Sequence, residues 1–75
     1  MTTRQWAVAV TGRAARAIEQ ECGAFPSRRQ CEAAIRRAME AIDRTAAEPW
    51  TTTDAVEAAA YEEALDALDP TSIAD

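Results

Sequence analysis

Residues 27–44 read SRRQCEAAIRRAMEAIDR, and this stretch decides the fold. Cys31, Ala34, Ile35, Ala38, Met39 and Ile42 recur every three or four positions, so on a helix they form one narrow apolar stripe. Arg29, Arg36, Arg37, Arg44, Glu32, Glu40 and Asp43 take the opposite side. Ser27 stands where an N-cap belongs, and Gln30, three residues on, completes a capping box. A helix from about Arg28 to Ala46 or Ala47 follows.

Breaks flank this segment. On its N-terminal side lies Gly23-Ala24-Phe25-Pro26. Gly23 suits the left-handed residue after a helix end, and Pro26 blocks continuation. Before the break, from about Thr3 to Cys22, Trp6, Val10, Ala14, Ala17 and Ile18 keep helical spacing, with Gly12, Arg13, Arg16, Glu19 and Gln20 opposite. Trp6, Val8 and Val10 also alternate, which is a strand pattern. Ala7 and Ala9 are poor strand residues, and no other segment offers a strand partner. A helix is therefore expected, with a short N-terminal strand as the alternative.

On the C-terminal side lie Glu48-Pro49-Trp50 and then Thr51, Thr52, Thr53 and Asp54. Any of these threonines can cap, and Thr51 with Asp54 has capping-box spacing. The third helix is expected from about 52 to 68. Val56, Ala60, Tyr61, Ala64, Leu65, Ala67 and Leu68 make its apolar side; Glu62, Glu63, Asp66 and Asp69 make its outer side. Pro70 should stop it, and residues 71–75 should form a frayed acidic tail.

The expectation is an all-α fold: one domain over residues 1–70, a small antiparallel three-helix bundle of about 3–22, 28–47 and 52–68. A chain of this length buries only ~60% of the surface its unfolded form exposes. Its core should supply no more than roughly 3–5 kcal/mol of net stability. Trp6, Phe25, Trp50 and Tyr61 are the large side chains expected in or against that core, with Trp50 stapling the third helix or, as the alternative, standing exposed as a binding anchor. Ile35 and Leu65 should be buried within it.

Charge is divided along the chain. All eight basic residues are arginines, and all lie between Arg4 and Arg44. Against five acids they leave residues 1–47 at +3; residues 48–75 hold eight acids and no base, hence −8. Such asymmetry points to a charged partner, or to one part of the fold docking on another.

The chemistry is sparse. There is no histidine and no lysine, and Gly12 and Gly23 stand alone, so imidazole catalysis, Schiff-base chemistry and a glycine-rich phosphate loop are excluded. Cys22 and Cys31 are too far apart in sequence for a CxxC pair and lack histidine partners for zinc. They read as small buried hydrophobes in the reduced state, with a disulfide between the first two helices or a reactive thiol as the alternatives. Neither an enzyme, a cofactor nor a metal site is expected. Acidic helical chains of this size include the acyl carrier proteins, which carry their prosthetic group on the serine of an Asp-Ser-Leu motif heading a helix. Here Ser27 sits between Pro26 and Arg28, and that match fails.

No apolar run approaches the ~20 residues that cross a bilayer. The start, Met1-Thr2-Thr3-Arg4, lacks signal-peptide features, so a cytoplasmic location and no membrane partner are expected.

The expected function is a small acidic binding protein, monomer or homodimer, that occupies a basic surface of a larger protein. Glu62, Glu63, Asp66 and Asp69 are its expected contact face, with Asp54 and Asp75 adding phosphate-like charge. Phage or mobile-element inhibitors of host nucleic-acid machinery, anti-CRISPR proteins among them, share this size, charge and missing chemistry. One alternative is a helical dimerisation or subunit module that completes its core with another chain. Another is a nucleic-acid-binding regulator that uses Arg28, Arg29, Arg36, Arg37 and Arg44. Against the latter stand the helix-stabilising spacings Glu32–Arg36 and Glu40–Arg44 and the net charge of −5.

Overall fold

Each helix starts where a side-chain hydroxyl can satisfy the first turn of backbone. The computed structural model describes residues 2–69, in which α1 spans Thr3–Cys22, α2 Arg28–Ala46 and α3 Thr53–Leu68. Thr2 caps α1: its Oγ1 accepts from the Gln5 N–H at 3.1 Å, and Gln5 Oε1 accepts from the Thr2 N–H at 2.9 Å. Ser27 and Gln30 make the same reciprocal pair on α2, at 3.2 and 2.8 Å. On α3 the cap is Thr52, one of the three threonines open to that role, and not Thr51, which has the capping-box spacing. Thr52 Oγ1 accepts from the Ala55 N–H at 3.1 Å, while Thr51 donates to Glu48 at 3.4 Å. Gly23 ends α1 with φ 77°, its N–H bonded to the Glu19 carbonyl at 2.8 Å. That conformation is open to glycine and strained for other residues. Pro70 and the tail lie outside the described residues.

Trp6–Val10 is helical. Ala7 and Val10 are fully buried whereas Val8 is 43% exposed. A strand would have placed Trp6, Val8 and Val10 on one face.

The core has two layers. Ala7 and Val10 of α1 meet Ala38, Ala41 and Ile42 of α2 and Val56 and Ala60 of α3 in one. Ala14, Ala15 and Ile18 meet Ala34, Ala64 and Leu68 in the other. The N-terminal half of α1 thus packs on the C-terminal half of α2 and the N-terminal half of α3. Consecutive helices are antiparallel, and α1 and α3 run the same way.

Among the described residues, eight of the thirteen buried apolar ones are alanines, so the centre of the bundle is built from small side chains. Small contacts allow short interaxial distances and leave large side chains no room between the helices. Trp6, Ile35, Met39, Tyr61 and Leu65 accordingly sit at the edges, packed against the core but only half-buried. The expectation of buried Ile35 and Leu65 is corrected on this ground: Leu68 and Val10 are the largest fully buried side chains. Phe25 and Trp50, expected as core pieces, are 55% and 76% exposed in the turns. With the cap at Thr52, the staple position falls on Thr51 and Trp50 lies one residue too early to reach the helix.

Thr11 is buried in α1 at 3% exposure, and its Oγ1 makes no protein hydrogen bond. An unsatisfied buried hydroxyl costs roughly 1–3 kcal/mol. Thr11→Val should therefore raise the denaturant midpoint, by about 1 kcal/mol in stability. Leu68→Ala should lower stability by about 2–5 kcal/mol and leave the bundle close to unfolding. Equilibrium urea unfolding followed by circular dichroism checks both.

Candidate functional site

The acids of α3 do not all face solvent. Glu57, which follows the inward-facing Val56, leans toward α1. Its Oε1 accepts from Trp6 Nε1 at 3.2 Å and pairs with Arg13 Nη2 at 3.0 Å. On the other flank of α3, Arg37 of α2 reaches across. Its Nη2 lies 2.6 Å from Glu63 Oε2 and 2.7 Å from Asp66 Oδ2, and its Nε donates to Glu63 at 3.2 Å. The hydrogen bonds to Asp66 and then Glu63 hold the guanidinium pKa above its ordinary value. Arg44 approaches the other oxygen of Glu63 at 4.0 Å. Part of the charge division along the chain is therefore complementarity between helices.

This geometry separates the four expected contact residues. Glu63 turns toward α2 and is engaged by arginine, and Asp66 is shared with the same Arg37. Glu62 is exposed and Asp69 half-exposed. With Asp66 they border an open groove between α1 and α3, of about 430 Å³. Ala17 and Ile18 of α1 and Tyr61 and Leu65 of α3 form its apolar lining; Glu21 completes its acidic border. No arginine is among the described residues that line it. A second hollow, of about 490 Å³, is lined by Arg13, Asp54, Glu57, Ala58 and Tyr61. There Arg13 and Glu57 are already paired, so less charge is left unbalanced.

Glu21 and Glu57 escaped the sequence reading. Glu57 was detectable as a carboxylate four residues before Tyr61, flanking the apolar stripe. Glu21 near the end of α1 becomes relevant only once α3 lies alongside.

The arginine face is likewise divided. Arg29 and Arg36 are exposed, Arg37 is committed to α3, and Arg44 leans toward it. Glu32 pairs with Arg28 at 3.4 Å instead of with Arg36. Both cysteines are free: Cys22 is exposed, not buried, and Cys31 packs half-buried against the second core layer. Burial raises the Cys31 thiol pKa, which lowers its thiolate fraction. Among the described residues no cluster of cysteine or carboxylate side chains has the makings of a metal site, and no helix is long and apolar enough to cross a membrane. Compared with protein-family models, curated proteins and solved structures, the chain matches none.

Because Arg37 is 40% exposed, its bridge is screened by solvent, and partly exposed pairs are worth about 0–1 kcal/mol each. Arg37→Gln should cost about 1 kcal/mol or less at low salt, and the deficit should shrink at high salt. Denaturant midpoints of the parent and variant, measured at both ionic strengths, check this.

Proposed function

We propose that this protein is a small non-enzymatic binding protein that occupies a basic surface of a larger protein. The observation that carries the reading is the position of the unbalanced charge. Glu57, Glu63 and Asp66 are met by arginines of the same chain, whereas Glu21 and Glu62 make no ion pair among the described residues and border one open groove with no arginine among its described lining residues. Charge gathered in this way steers association with a basic surface and disfavours phosphate. In its sharpest form the protein is an inhibitor that covers the basic surface of a nucleic-acid-handling protein; size, net charge and the lack of histidine and lysine support that form. The expected contact residues are Glu62, Asp66 and Asp69, with Glu63 serving to hold α2 to α3.

A second reading has its own observation. Val8, Phe25 and Trp50 are exposed, which suits a helical module that completes its burial with another copy of itself or another chain. Such a contact tolerates salt, whereas the electrostatic one weakens steeply with ionic strength.

Reversing Glu62 and Asp69 to arginine should preserve helical content and slow association with a partner purified from the native host, by roughly tenfold at low salt. Stopped-flow or surface-based kinetics at two salt concentrations measure this. Unchanged kinetics, together with loss of binding on reversal of Arg29 and Arg36, would move the working surface to α2.

A further inference from the structure

We infer that the α1–α3 groove receives a basic amphipathic helix of the partner, with an apolar stripe on Ile18, Tyr61 and Leu65 and basic side chains along the acidic border. This rests on the basic-partner reading and goes further by naming the element that docks. The first support is the groove's composition. Tyr61 and Leu65 are held at the bundle edge by the alanine centre, so apolar surface stays open beside charge. The second is charge complementarity. Glu21 and Glu62 make no ion pair among the described residues, and no base lines the groove. The third is shape. Two helices running side by side leave a groove along their length, and an amphipathic helix lays its apolar face into such a groove.

A second copy of this chain fits poorly. Its most basic helix, α2, carries Glu32, Glu40 and Asp43 among its exposed arginines, and these would face the groove's own acids. The occupant is therefore a helix whose basic residues flank an apolar stripe with no acids between them.

The test uses two synthetic peptides of leucine, alanine and arginine with identical composition. One places the leucines along a single helical face; the other has its order scrambled. Binding to the full chain is followed by amide resonances in two-dimensional NMR. The ordered peptide should bind about tenfold more tightly than the scrambled one, a difference of about 1.4 kcal/mol. It should shift Ile18, Glu21, Tyr61, Glu62 and Leu65. Glu21→Arg combined with Glu62→Arg should weaken it by a similar factor. Glu40→Arg combined with Asp43→Arg, on exposed positions of α2, should leave it unchanged. Circular dichroism confirms that each variant is folded. Equal affinity for both peptides, or shifts centred away from the groove, overturns the docked helix and leaves the basic-partner reading standing. Failure of both peptides to bind at low salt overturns the two together.

Discussion

The organisation of this protein follows from alanines at the helix contacts. Ala7, Ala14, Ala15, Ala34, Ala38, Ala41, Ala60 and Ala64 occupy the positions where α1, α2 and α3 face one another. A methyl group fills little space, so helices joined through methyl groups can lie close together. It also removes little area from water, so burial stabilises less per residue than a leucine-rich core would. Among the described residues, every large apolar side chain except Val10, Ile18, Ile42, Val56 and Leu68 is displaced outward. The half-buried ring of Trp6, Ile35, Met39, Tyr61 and Leu65 is the result, and the apolar lining of the groove belongs to it.

With so little area buried, polar contacts between helices gain weight in orienting them. Arg37 reaches two carboxylates one turn apart on α3, and Glu57 ties α3 to Trp6 and Arg13 of α1. Such half-exposed bonds contribute modest free energy, but they select which face of α3 turns toward which neighbour. The acid-rich helix is thus held with one flank on α2, one on α1, and Glu62 between them on the outside.

Much of the fold was legible in the sequence. The Ser27–Gln30 box, Gly23 and the periodic stripe of α2 are local signals, and local signals fix helix limits. The cap on α3 stays open among three residues for a local reason: Thr51, Thr52 and Thr53 are chemically equivalent, and only the path of the turn chooses Thr52. Burial was less legible. Periodicity places Ile35 and Leu65 on apolar stripes, and size alone places Phe25 and Trp50 with the core, whereas alanine contacts and turn geometry set their exposure. Site residues were legible as a class and not as a surface. Glu62, Glu63, Asp66 and Asp69 share the polar arc of one helix, but helical spacing is silent on which neighbour each acid meets. Arg37 lies 26 positions before Glu63, and no local pattern links them. Glu21 entered the groove for the same reason, through a neighbour distant in sequence.

The two indole rings occupy opposite surroundings. Trp6 is packed at the α1–α3 seam with its N–H bonded to a carboxylate, while Trp50 stands 76% exposed in the turn between α2 and α3. Emission from the folded chain is therefore a blend of a shielded and a wet fluorophore. Unfolding changes the first far more than the second. A fluorescence melt of this protein reports the parting of α1 from α3 at one end of the bundle, on a nearly constant background from Trp50.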